Sequence, residues 1–230
     1  MFCTHCGTEV GDHVQFCTRC GQPTSGALAP VRSATAVWSP PTMVHASAGR
    51  WIGEGWDLVK ADLGNYAVLT LLFGLLSGVP LIGGSLIAGF HIFSIKKLER
   101  RHAQIGDLFQ GFNYFVHALI ASLIIGFFVF VGTLLLIIPG LIVAAMYKFT
   151  YLFIVDKRME FWDAMKASHA VVKNDYLGFT WFLILAFLVN VLGFCCLLVG
   201  LLVTIPVTFA AITIAYREIV GFEPSTVNAL

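Results

Sequence analysis

The sequence predicts an all-α integral membrane protein, six helices arranged as three repeated hairpins with amphipathic interfacial helices, behind a small four-cysteine module. Three observations carry this reading. Of 230 residues, 58% are hydrophobic and only 12% are charged, with a mean hydropathy of +0.84, whereas a soluble domain carries about 25% charged residues. The apolar residues beyond Tyr66 fall in long runs. Four of the six cysteines crowd into the first twenty residues.

The net charge of +1 and pI of about 7.7 leave no basic excess for electrostatic binding of nucleic acid, which is not expected as a partner. Residues 1–25 carry cysteines, Glu9, Asp12 and Arg19 where an export signal needs a basic start and an apolar stretch, so a cleaved signal is not expected.

Cys3-x-x-Cys6 and Cys17-x-x-Cys20 stand ten residues apart, each followed at once by glycine, Gly7 and Gly21. A two-residue gap lets both sulfurs of a knuckle reach one ion, and glycine permits the tight turn that aims backbone N–H groups at the thiolates. Two knuckles complete a tetrahedral shell of four sulfurs, and a structural zinc contributes on the order of 10 kcal/mol to a module too short to build a core. Two disulfides would need an oxidising compartment, and a redox pair would need a βαβ setting that is absent. Structural zinc is the reading adopted, with rubredoxin-like iron the alternative. His5 and His13 are surplus to a closed shell. The module, residues 1–22, resembles the short N-terminal zinc ribbons of many prokaryotic membrane proteins, a resemblance resting on the two C-x-x-C-G knuckles. It implies an interaction module, and the closed shell has no open position for catalysis.

Residues 23–50 hold four of the eight prolines, Pro23, Pro30, Pro40 and Pro41, and show no helical or strand period. They are expected to form a disordered linker with a reach of roughly 30 Å. Residues 51–221 are the polytopic membrane domain and 222–230 a cytoplasmic tail. Within the domain one pattern recurs: an aspartate in an amphipathic stretch (Asp57, Asp107, Asp163), a tyrosine at the start of an apolar run (Tyr66, Tyr114, Tyr176), then a proline (Pro80, Pro139, Pro206). The stripes Ile52, Trp56, Val59, Leu63 and Ile105, Leu108, Phe109, Phe112 have helical period and suit helices lying on a membrane, with an ordinary amphipathic helix packed on protein as the alternative that period alone does not separate. A span needs about 20 apolar residues. Tyr114–Val155 (42 residues) and Tyr176–Tyr216 (41) each supply two, whereas Tyr66–Ile95 supplies only 30. The first hairpin therefore either draws Asp62–Asn65 into its helix or re-enters without crossing. Gly74-x-x-x-Gly78 and Ser85-x-x-x-Gly89 are candidate close-packing motifs.

Apart from Lys148 and three in the ribbon and linker, the basic residues lie between the hairpins or at their outer ends, from Lys60 to Arg217, and the turns within hairpins carry no charge, so the positive-inside rule places both termini on the cytoplasmic side of what is expected to be a prokaryotic cell membrane. Lys148, His91 and His117 interrupt apolar runs. They are read either as a polar cavity that binds an anionic headgroup or carries an ion, or as side chains that snorkel or make single interhelical bonds. Asn190 is a further polar interruption, and Cys195 and Cys196 are read as apolar fillers. No catalytic motif is present, so no enzymatic activity is expected.

The run from Pro139 to Phe179 resembles the six-helix membrane domains related to the membrane portion of glycerophosphodiester phosphodiesterases, through Pro139, Gly140, Tyr147, Lys148, Asp156, Ala164 and Ser168. The likeness extends loosely over residues 50–221 and carries no phosphodiesterase domain with it. The expected function is a non-enzymatic scaffold or adaptor whose cytosolic ribbon recruits a protein partner, with homo-oligomerisation left open. The alternative is a transporter, channel or lipid-handling protein with a regulatory ribbon.

Overall fold

The computed structural model describes residues 6–9, 19–20, 38–41, 44–79, 81–135, 137–196 and 199–229. The chain divides into two compact units, Met1–Ser39 and Pro40–Leu230. Among the described residues of the second unit every regular element is helical: α1 (Ala48–Lys60), α2 (Leu63–Leu76), α3 (Gly83–Leu98), α4 (Asp107–Gln110) continuing into a 3₁₀ turn at Gly111–Tyr114, α5 (Phe115–Leu135), α6 (Ile137–Met146), α7 (Thr150–Asp156), α8 (Phe161–Val172), α9 (Tyr176–Cys195), α10 (Leu201–Ile219) and α11 (Pro224–Ala229).

Four stretches are long and apolar enough to cross a membrane: Asp107–Leu135, Ile138–Asp156, Tyr176–Cys195 and Leu201–Ile219. A fifth arises if α1 and α2, bent by 103° at residues 61–62, count as one broken span. Separately, α2 (14 residues) and α3 (16 residues) fall short of the required length. The body exposes large apolar side chains such as Leu71, Leu75, Phe127, Leu134 and Leu177, more than an aqueous surface accommodates. These features are compatible with an integral membrane protein.

The stripe read from the sequence and the face of α1 buried in protein share Val59: Ala48, Trp51, Gly55 and Val59 are the buried residues, while Trp56 is 47% and Leu63 40% exposed. The buried face follows from α10, because a Cβ on Gly55 would lie 2.8 Å from the Val207 carbonyl oxygen. Glycine here lets the two backbones touch, and that contact decides which face turns inward. Trp51 is fully buried between Phe179 and Phe182 of α9, at centroid distances of 6.1 and 5.2 Å. In the second stripe Leu108 is buried, while Phe109 and Phe112 are exposed.

Small residues pack as expected at one motif and not at the other. Gly89 lies against the backbone of Leu108, and Gly111 against the Ser85 carbonyl, each too close to admit a Cβ. Nothing approaches Gly74 within 4 Å, so Gly74-x-x-x-Gly78 makes no such contact. The segment Leu108–Gly111 thereby occupies the flank of α3 that a full-length hairpin would offer to α5. Only the start of α3 reaches α5, with Gly84 against Ala118 and a groove between Gly83, Ile87, Ser122 and Gly126.

Three helices end alike. Arg100 (φ 53°), Arg158 (φ 50°) and Gly221 (φ 76°) follow α3, α7 and α10 in the left-handed region. Arg101 N–H donates to the Lys96 carbonyl at 2.8 Å and Arg100 N–H to that of Lys97 at 3.2 Å, the paired closure of a Schellman cap. Pro139 falls in the first turn of α6, where its missing N–H costs no helical bond. Pro206 lies inside α10 and is buried.

The sequence places two spans in Tyr114–Val155, and the second of these is interrupted at residues 147–149, between α6 and α7. Ser168 of α8 bridges the interruption: its Oγ accepts from Phe149 N–H at 3.1 Å and donates to the Met146 carbonyl at 2.7 Å. Asn190 makes an interhelical bond, donating to Thr208 Oγ1 at 2.9 Å, while Cys195 and Cys196 are exposed rather than filling a core. Ser168→Ala is expected to strand both groups at the break and to destabilise the fold by about 1–3 kcal/mol. Ser122→Ala, which removes only a bond within one helix, should cost about 0.5 kcal/mol or less. Unfolding of the two variants in mixed detergent micelles measures the difference.

Candidate functional site

Of the four predicted metal ligands, Cys6 and Cys20 are described; Cys3 and Cys17 lie outside the described residues. Gly7, directly after Cys6, has φ 68°, the left-handed conformation that a C-x-x-C-G knuckle demands and that other residues adopt at a cost. Cys6 Sγ lies 3.3 Å from Thr8 Oγ1, so with the sulfur as thiolate the hydroxyl can donate to it. Sequence reading missed Thr8, although an outer donor of this kind stabilises a metal-bound thiolate. The Gly7 backbone and the Thr8 hydroxyl beside Cys6 fit a C-x-x-C-G metal knuckle.

In the second unit the charged residues gather where α3, α7 and α10 end and α1, α5 and α9 begin. Asp107 and Lys96 are 4% and 5% exposed. The Lys96 ammonium donates to Asp107 Oδ1 at 2.7 Å, Gln110 Nε2 donates to the same oxygen at 2.7 Å, and Gln104 N–H to Oδ2 at 2.8 Å. Of the three recurring aspartates only this one is buried; Asp57 and Asp163 form exposed pairs with Lys60 and Lys166. Asp156 accepts from Tyr216 OH at 2.9 Å and from Glu223 N–H at 2.8 Å, and its carbonyl accepts from Thr226. The terminal stretch read from sequence as a tail is thus tied to the end of α7.

Asp175 caps α9, accepting from Gly178 N–H at 2.9 Å and from Ala46 N–H at 3.0 Å. With Val44 buried and the Pro41 carbonyl accepting from Asn174, the last residues of the predicted linker are packed on the helical body. Glu218 accepts from Trp51 Nε1 at 2.6 Å and pairs with Arg50. Asp62 pairs with Lys97; partial burial pushes its carboxyl up, but Lys97 and Asn65 more than offset this and hold it below the usual carboxylate range.

The intramembrane candidates separate. His91 is 2% exposed and its Nδ1 lies 2.9 Å from Thr213 Oγ1. Thr213 already donates its single proton to the Phe209 carbonyl at 2.8 Å, so Nδ1–H is the donor and Nε2 keeps its lone pair. Lys148 lies in the break between α6 and α7. A lysine at the centre of a span costs about 2.5–3.5 kcal/mol. His117 Nδ1 is buried without a hydrogen-bond partner, and no contact joins it to the other two. Thr213 was invisible to sequence reading because a threonine in an apolar run gives no signal of its own. Among the described residues no cluster of three or more His, Cys, Asp or Glu is arranged to hold a metal.

Residues 2–24 match the zinc-ribbon domain family. No curated protein and no solved structure matches the chain. The match covers the cysteine module and supports zinc as its metal.

Two expectations follow. Replacing either Lys96 with Met or Asp107 with Leu leaves a buried charge unpaired and should cost about 3–5 kcal/mol, while the double replacement should recover most of the loss; a double-mutant cycle on chemical unfolding reads this. Metal analysis of the purified full chain should give about one zinc per chain, lost on Cys6→Ser or Cys20→Ser. A tetrathiolate iron would instead show as visible absorbance.

Proposed function

We propose that the chain is a non-enzymatic membrane scaffold or adaptor whose zinc ribbon recruits a cytosolic protein. The observation that carries this reading is the division of the chain: a cysteine module matching a zinc-ribbon family belongs to one compact unit, and the apolar helices belong to another. A closed tetrathiolate offers a rigid surface and no catalytic position. Tethering such a surface to a membrane raises its effective concentration for partners there.

The finer architecture belongs to the same proposal. Three hairpins, α2–α3, α5 with α6–α7, and α9–α10, place both termini in the cytoplasm of a prokaryotic cell, and the left-handed caps after α3, α7 and α10 support the repeat. The first hairpin is re-entrant, which the shortness of α2 and α3 and the occupation of the α3 flank by Leu108–Gly111 favour.

Membrane-permeant crosslinking in native cells, comparing the intact chain with a Cys17→Ser, Cys20→Ser variant at matched membrane abundance, tests the function. A specific partner lost with the cysteines is the expected outcome. Identical partner profiles would refute recruitment through the ribbon.

A further inference from the structure

The three recurring aspartates sit in turns of different make-up. α1 carries Trp56, Asp57 and Lys60, and α8 carries Trp162, Asp163 and Lys166 at the same spacing, but the corresponding turn of α4 carries Gly106, Asp107 and Gln110. In α1 and α8 the tryptophan is 47% and 50% exposed, and the aspartate pairs at the surface with the lysine three residues on. In α4 both partners are missing and the aspartate turns inward onto Lys96. The turn therefore forms without that tryptophan and lysine, and packing within the helical body does not account for either.

Their chemistry sets this surface apart from one that faces hydrocarbon. Indole joins an apolar body to an N–H, the combination enriched where headgroups meet acyl chains. The exposed aromatics at α4, Phe109 and Phe112, have no polar atom, and they stack in series with Phe115 of α5 at centroid distances of 6.4 and 6.2 Å. Each tryptophan instead stands one turn from a lysine, and in α8 the Lys166 ammonium lies 5.7 Å from the Trp162 ring centroid. The Lys60 and Lys166 side chains are 53% and 63% exposed. An ammonium has three protons, so the bond to aspartate leaves donors over for an anionic oxygen. Position in the chain agrees: α1 leads into α2, and α8 leads into the apolar stretch that opens at Tyr176, with exposed Lys173 between. Both turns stand where the chain enters the apolar body.

We propose that the Trp56–Lys60 and Trp162–Lys166 turns are two headgroup anchors, each indole lying at the level of the lipid glycerol groups and each ammonium binding a lipid phosphate, while the α4 turn contributes none. Because each Asp–Lys pair is neutral, the contact is to the phosphate that phospholipids share and needs no net-anionic headgroup. The inference rests on the reading of the chain as an integral membrane protein.

The test uses the full chain reconstituted in phosphatidylcholine vesicles, with bromine placed either near the carbonyl end or near the terminus of the acyl chains, and with iodide as the quencher in water. Subtracting the fluorescence of Trp56→Phe or Trp162→Phe from that of the wild type isolates each indole, and at half-exposed positions phenylalanine disturbs little packing. Trp181, 55% exposed within the apolar α9, is isolated in the same way as an internal reference for the membrane. Bromine near the carbonyl end is expected to quench Trp56 and Trp162 roughly twofold or more better than bromine near the chain terminus, and Lys166→Glu is expected to open Trp162 to iodide. Quenching of Trp56 and Trp162 by iodide alone, with Trp181 still quenched by bromine, would overturn the anchors and leave the membrane reading standing; the two turns would then face water or a protein. If bromine at neither depth reaches Trp181, the membrane reading falls and the anchors fall with it. An unchanged Trp162 signal in Lys166→Glu would overturn the phosphate contact.

Discussion

Everything in the helical body depends on satisfying backbone hydrogen bonds without water. A continuous helix does this by itself, but the chain interrupts one of its four long apolar stretches at residues 147–149. Groups freed in an apolar setting each cost several kcal/mol unless a side chain replaces the lost partner. Ser168 replaces two at once, because one hydroxyl can accept from Phe149 and donate to Met146. That single residue also fixes α8 against the break, so the amphipathic helix is held by a bond as well as by its buried face, Ala164, Met165 and Val171. The interruption therefore depends on one hydroxyl.

The same constraint governs the charged end. Lys96 and Asp107 are both almost fully buried, and such a pair is tolerable only when its remaining donors and acceptors are filled. Gln104 and Gln110 fill them. Asp156 follows the same rule with different partners, using a phenol, a backbone N–H and Lys157. Each carboxylate therefore joins segments distant in sequence, α3 to α4 in one case and α7 to the C-terminal stretch in the other. These are positional constraints more than sources of net stability.

Much of this was legible in the residues. Apolar runs of sufficient length gave α5, α9 and α10, and the shortfall at Tyr66–Ile95 anticipated that α2 and α3 are too short to cross singly. The C-x-x-C-G spacing gave the module that the zinc-ribbon match covers. What periodicity left open was which face of α1 and α4 packs on protein, since it reports that a helix has an apolar side but not which neighbour will press against it. Gly55 meeting Val207 is a contact across about 150 residues, and no local pattern encodes it. Lys148 and His91 could be flagged individually as polar residues in apolar runs. The bond between His91 and Thr213 depends on the crossing of α3 and α10, which no local pattern encodes.

The left-handed caps show which chemistry outweighs backbone ease at the charged end. Gly221 occupies this conformation after α10 without a steric cost, yet after α3 and α7 the same conformation is occupied by Arg100 and Arg158. A residue with a Cβ gives up roughly 1–2 kcal/mol there relative to glycine. Both arginines are exposed, so neither recovers that loss by packing in a core. What an arginine supplies and a glycine cannot is a permanent positive charge at the point where a helix leaves the apolar body. The two positions directly follow α3 and α7, close in sequence to Lys96, Lys97 and Lys157. Charge placed there at a conformational cost is what orientation by basic residues requires, and it supports the proposal that these helix ends face the cytoplasm.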